Sequence, residues 1–162
     1  MKKTKKIFFV TVGRSDYLRQ LPIINYLKNK NNIYLKILIT GSHSYKLYGE
    51  TINHIKKNNV SWENCCPKKY SLKTKDISLN LNECLARIDK TIKKDCPDIL
   101  VLFGDRYEVL AGALAAFGKK ILIILIVKYQ KKVLYRVNGK MPFLKDVLNL
   151  HLLIHHHCVV LN

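Results

Sequence analysis

Three glycine-led clusters carry the side chains best suited to chemistry in this 162-residue chain: Gly13-Arg14-Ser15-Asp16, Gly41-Ser42-His43 and Gly104-Asp105-Arg106. Arg14 and Arg106 offer planar guanidinium forks, which take phosphate oxygens two at a time. Asp105 beside Arg106 reads as a positioned acid or base. His43 reads as a second proton carrier, or as a donor to developing negative charge. Each has a plainer reading. Asp16 caps a helix that begins near Leu18, Asp105 does the same before Tyr107, and His43 is a loop residue.

The elements around the clusters decide whether these residues meet. Ile7 to Val12 is an apolar strand that runs into Gly13. Tyr34 to Ile39 is a second strand, ending at Thr40-Gly41, and Ile99 to Phe103 a third, ending at Gly104. The apolar run of Ile7 to Val12 is the kind that a parallel sheet covered on both faces needs. Between the strands, Leu18, Leu21, Ile24 and Leu27 fall near helical spacing, as do Ile77, Leu81, Leu85, Ile88 and Ile92. A helix is expected from about Tyr45 to Lys57, and a short extended piece around Val60-Ser61-Trp62. Residues 64–76 read as a loop, Val109 to Phe117 as an Ala-rich helix, and Ile121 to Val127 as a last strand. Strand and helix alternate, so the expected fold is α/β, Rossmann-like, with a parallel sheet. In such sheets ligands sit beyond the carboxyl ends of the strands, where all three clusters fall. The pattern points to an anion-binding site.

Composition narrows the class. The longest apolar run, Ile121 to Val127, falls short of the roughly 18 residues a membrane span needs. Only Ile7-Phe8-Phe9-Val10 follows the basic amino terminus, too short for a secretory signal. A cytoplasmic protein without a membrane partner is expected. The net charge is +18, yet only five of the 29 basic residues are Arg, and the lysines are scattered. That pattern fits an AT-rich gene better than a nucleic-acid reader, which favours Arg interleaved with aromatics. A basic module that binds polyanions through its lysines is the rival reading. Cys65, Cys66, Cys84, Cys96 and Cys158 form no CxxC pair and are expected as reduced thiols. The run His155-His156-His157-Cys158 lacks a second ligand cluster, so no metal site is expected.

The same motifs carry a family resemblance. Val12-Gly13-Arg14-Ser15-Asp16-Tyr17 with Leu21-Pro22-Ile23 is similar to the opening loop and helix of the hydrolysing UDP-N-acetylglucosamine 2-epimerases. Thr40-Gly41-Ser42-His43 with Tyr48-Gly49-Glu50-Thr51 resembles their second strand end. Pro97-Asp98-Ile99, then Gly104-Asp105-Arg106-Tyr107-Glu108 and an Ala-rich helix, resembles their most characteristic segment. The resemblance covers about residues 5 to 120. It implies one half of a two-domain glycosyltransferase-B type fold, with a UDP-sugar held between two Rossmann-like halves. It implies elimination of UDP across C1–C2 followed by hydration of the glycal, on the way to sialic or legionaminic acids. No metal or nicotinamide cofactor is implied. By motif match, Asp105 joins the acid/base group, Arg14 and Arg106 hold nucleotide or phosphate, and His43 lines the sugar end of the cleft.

After Lys120 the resemblance breaks. The family continues with His-x-x-Gly-Gly-Glu, but no Gly-Gly-Glu occurs here, and no acidic residue stands between Lys119 and Lys145. Residues 1–127 are therefore expected to form the epimerase amino-terminal domain, and 128–162 an aberrant basic tail. One allowed choice of codons for Tyr129 to Lys145 reads, in a shifted frame, as a stretch containing Glu-Glu-Gly-Val-Ile and later Ala-Ile-Ser-Lys. A frameshifted, truncated copy is the expectation. A divergent but intact tail is its alternative, with Asn149-Leu150-His151 echoing the family's His-x-His strand. Without those carboxylates and a second domain, the isolated chain is expected to be poorly soluble and weak or inactive as an epimerase. A homo-oligomer or a separately encoded second domain is the expected partner.

Overall fold

The computed structural model describes residues 3–70, 73, 76–126 and the backbone of Val159–Leu161. Five parallel strands form its centre: β1 (Lys5–Thr11), β2 (Ile33–Ile39), β3 (Ser61–Asn64), β4 (Ile99–Phe103) and β5 (Leu122–Ile126). A sixth, β6 (Val159–Leu161), pairs antiparallel with β5, and the order is β3-β2-β1-β4-β5-β6. The expected tail over residues 128–158, with its His155–Cys158 run and the Tyr129–Lys145 stretch, lies outside the described residues.

Strand residues alternate between two cores, as the period of two requires. Ile7 and Phe9 of β1, Ile37 and Ile39 of β2, and Val101 and Phe103 of β4 pack under α1 (Arg14–Leu27) and α2 (Ile52–Lys56). Phe8, Val10, Leu38, Leu100 and Leu102 face the other way, toward α3 (Ile77–Asp95) and α4 (Tyr107–Ala116). Register places Phe9 between Ile37 and Val101, so the middle of the sheet is apolar on both faces. Burying one such side chain contributes about 1.5–3 kcal/mol. The Ala-rich composition of α4 has a steric cause. A Cβ on Gly112 would lie 2.7 Å from Leu102 Cδ2, so only small residues let this helix approach β4.

Three expectations shift. α1 begins at Arg14 rather than near Leu18, and its N-cap is Gly13, with no side-chain cap. Asp16 is therefore a residue of the first turn and not the cap. The helix expected from Tyr45 to Lys57 is broken. A 3₁₀ turn, Lys46–Tyr48, stops at Gly49 with φ 85°, and α2 starts only at Ile52. Glycine at φ > 0 ends a helix at little cost. The buried stripe of α3 is Asn80, Cys84, Ile88, Thr91 and Ile92, with Leu81 and Leu85 only partly buried at its edge.

Connections reverse direction between β1 and β4, the switch point at which α/β sheets open a crevice. Gly13 leaves β1 and Gly104 leaves β4 on the two sides of that crevice.

Candidate functional site

The first wall of the crevice is the Gly13 turn. Asp16, one turn into α1, is 8% exposed. Its Oδ1 lies 3.8 Å from the point a Cβ would occupy on Gly104, and its Oδ2 3.9 Å from the corresponding point on Gly13. Arg106 Nη1 is 3.8 Å from that same Gly13 point. The ends of β1 and β4 thus bring Asp16 and Arg106 to one place. Burial raises the Asp16 carboxyl above its ordinary range, against the pull of Arg106 and Arg19.

Arg106 is the N-cap of α4. Its Nη2 donates to Tyr70 Oη at 2.6 Å, and Tyr70 Oη donates to Glu108 Oε1 at 2.7 Å. Arg106 Nε faces Glu108 Oε2 at 3.5 Å. Glu108 is fully buried, and among the described residues its Oε2 accepts no hydrogen bond. Burial and the Tyr107 and Glu108 hydrogen bonds push the Tyr70 phenol well above its usual range. Tyr70 also stacks on Tyr45, with ring centroids 5.3 Å apart, and meets Tyr48 edge-on at 5.8 Å. These rings hold the 64–70 segment over the end of β2.

Asp105 sits exposed in the turn after β4, next in the chain to Arg106. It is not the cap of α4; that position belongs to Arg106. Gly104 precedes it at φ 96°, which turns the chain out of the sheet at a conformation costly for other residues.

His43 lies beneath the strand ends, beyond the end of β2. Its ring is fully buried, with Nε2 3.1 Å from Thr11 Oγ1 and Nδ1 2.6 Å from Thr51 Oγ1. Burial, then the Arg106 charge, lowers its pKa to about 4. The imidazole is neutral at pH 7 and ties the end of β1 to the start of α2. Arg14 is exposed and lines a groove of about 370 Å³ between α1 and α2, with Tyr17, His54, Lys57 and Asn58. The structure buries His43 close enough to Arg106 to feel its charge, leaves Asp105 exposed next in the chain to Arg106, and turns Arg14 toward the groove between α1 and α2.

Asp16, Tyr70 and Glu108 are site residues that sequence reasoning passed over. Glu108 stood in a quoted motif without a role assigned to it. Tyr70 carried no signal, since 36 residues separate it from Arg106. Cys65, Cys66 and Cys84 are buried free thiols, and burial raises all three. Among the described residues no group of three His, Cys, Asp or Glu side chains could hold a metal ion. No helix among them is long and apolar enough to cross a membrane.

The sequence profile described as UDP-N-acetylglucosamine 2-epimerase matches residues 25–126, more than half of the chain. The chain belongs to this family. It is 31% identical, over 74% of its own length, to the UDP-N,N'-diacetylbacillosamine 2-epimerase (hydrolyzing) of Legionella pneumophila, and covers 32% of that protein. It superposes on the Methanocaldococcus jannaschii UDP-GlcNAc 2-epimerase, solved with UDP-GlcNAc and UDP, with TM-score 0.58 and 25% identity. That match covers 75% of this chain and 32% of the other. It superposes on Acinetobacter baumannii MurG with TM-score 0.59 and 13% identity, over 90% of this chain and 39% of that one, a likeness of fold alone. These neighbours are of the glycosyltransferase-B type, so the chain is one Rossmann-like part of that architecture, as its strand pattern implied. The chain spans about a third of the length of the curated relatives it matches. The polyanion-binding reading is not favoured by any of these likenesses.

Proposed function

We propose that this chain builds the acid/base and phosphate side of a UDP-sugar 2-epimerase site. The observation that supports the reading is the approach of Arg106 and Asp16 to the Gly13 turn at the β1–β4 switch point, in a chain whose residues 25–126 match the family. On this reading the substrate is UDP-N-acetylglucosamine or a more heavily acetylated UDP-sugar. A base takes the C2 proton while the C1–O bond to UDP breaks, leaving a glycal. Water then adds across the double bond, oxygen to C1 and hydrogen to C2, to give the 2-epimer. Asp105, exposed in its turn, acts as the acid or base. Arg106 clamps the departing diphosphate, where an oriented cation acts on developing charge. Arg14 adds positive potential from the first turn of α1. His43 serves the sugar end by fixing the β2 exit rather than by touching the sugar.

The residues after Lys120 lack the family's Gly-Gly-Glu, so the isolated chain is expected to bind UDP without normal turnover. Loss of one acid/base group costs about 10²–10⁴-fold. The second Rossmann-like half of this architecture would supply the remaining wall of the cleft. The test is calorimetry with UDP, together with an assay of UDP release from UDP-N-acetylglucosamine, using Asp105→Asn as control. Binding of UDP without turnover supports the reading. Release at a normal rate, abolished in the control, would show that the site is complete in this chain. No binding of UDP at all would sink the reading.

A further inference from the structure

Arg106 is less free than an arginine waiting for a phosphate usually is. Its side chain is 37% exposed, and both Nη2 and Nε are engaged from the protein side. Nη2 is spent on the Tyr70 hydroxyl at 2.6 Å and also faces Glu108 Oε1 at 3.5 Å, while Nε faces Glu108 Oε2 at 3.5 Å. The Tyr70 hydroxyl closes the triangle by donating to Glu108 Oε1 at 2.7 Å. What remains is the Nη1 edge, turned toward the Gly13 turn, where Arg106 Nη1, Ser42 Oγ and the Asp16 carboxylate oxygen Oδ2 each lie within 4 Å of one point in the crevice. Glu108 cannot slide away. It is fully buried, and its Oε1 lies 3.2 Å from the position of a Cβ on Gly41. Tyr70 is held in turn by the Tyr45 and Tyr48 rings.

We propose that Glu108 and Tyr70 are positioning residues that aim Arg106, fixing its guanidinium so that the Nη1 edge alone meets a diphosphate at the Gly13 turn. The proposal rests on the UDP-sugar reading for its ligand, but the aiming itself does not. An arginine held on two sides meets the ligand in one geometry, so less rotamer freedom is lost on binding. Glu108 also balances the cation before the ligand arrives, which makes a lone guanidinium tolerable half inside the fold.

The test uses the full chain labelled with ¹⁵N-arginine, as wild type, Tyr70→Phe and Glu108→Gln, with Arg106→Lys to assign the signal. Both test variants keep side-chain volume, and far-UV circular dichroism checks that they fold. The expected result is a resolved, slowly exchanging Arg106 Nε–H signal in wild type that is lost in both variants. UDP affinity should fall about tenfold in each. Neither variant should weaken binding much further in the Arg106→Lys background, because they act through Arg106. If Tyr70→Phe folds and keeps both the protected signal and wild-type UDP affinity, the positioning role is wrong and the epimerase reading stands. If no chain binds UDP but the variants still release Arg106, the positioning holds and the epimerase reading falls.

Discussion

A side chain at Gly41 would place its first carbon 2.5 Å from the Val12 carbonyl oxygen. The β2 exit therefore crosses the β1 exit closer than any other residue allows, and Gly41 holds φ 59° there. Gly41→Ala is expected to destabilise the fold by roughly 2–4 kcal/mol, combining overpacking with a left-handed backbone. The added carbon would also press on Glu108 Oε1, 3.2 Å away, so surviving folded protein should bind UDP more weakly than wild type. Urea unfolding with calorimetry checks both. An unchanged midpoint would contradict the close crossing.

His43 makes stability depend on pH in a stated direction. Its folded pKa, about 4, lies below its ordinary 6.5, so the unfolded chain binds the extra proton first. Stability is then full above about pH 6.5 and falls as pH drops toward 4. Over that window the loss is on the order of 3 kcal/mol for this fully buried ring. Asp16, whose pKa is raised, pulls the other way, because its folded form takes up the proton first. NMR titration should show the His43 ring neutral down to about pH 4. His43→Gln should flatten the loss of stability between pH 6.5 and 4.

Much of this fold was legible in the chain because β1 and β4 are apolar on both faces and run into a glycine. Ile99–Phe103 and Leu122–Ile126 needed only length and composition to be placed. The site was legible as three clusters but not as a network. Arg106 depends on Tyr70, brought to it by aromatic stacking over residues that read as featureless loop. Tertiary contacts of that kind leave no periodic trace. The Tyr45–Lys57 stretch misled for a local reason: Gly49 and Glu50 both adopt positive φ, and spacing alone cannot report a left-handed turn. The burial of His43 could not be read from its place after Gly41-Ser42, because it depends on two threonine hydroxyls, of Thr11 and Thr51, that satisfy its ring nitrogens.

Lys36 is a charged residue inside an apolar strand, and its partner explains it. Nζ pairs with Asp95 Oδ2 at 2.5 Å, across from the Phe8 ring at 5.7 Å. Both side chains are mostly covered, at 10% and 19% exposure. Lys36→Met alone should cost about 2–3 kcal/mol, because it strands a partly buried carboxylate. Lys36→Met with Asp95→Leu should cost less than Lys36→Met alone. A double-mutant cycle by thermal or urea unfolding measures the difference. Strict additivity would mean that the pair contributes nothing.

Arg14 and Arg106 were both expected to help hold nucleotide or phosphate, and they occupy different ground. Arg106 stands in the crevice between β1 and β4, against Gly13. Arg14, though next in sequence to Gly13, lines the groove between α1 and α2 with His54 and Lys57. The two substitutions should therefore separate. Arg106→Lys keeps the charge but loses the fork, and should weaken UDP binding about tenfold with little change in salt dependence. Arg14→Ala removes a charge held near the helix end and should weaken binding only a few-fold, mostly at low salt, where such fields are least screened. Titrations of both variants at two ionic strengths decide the point. Equal losses with equal salt dependence would mean that the two guanidinium groups act on the same phosphate after all, and that α1 moves when the ligand binds.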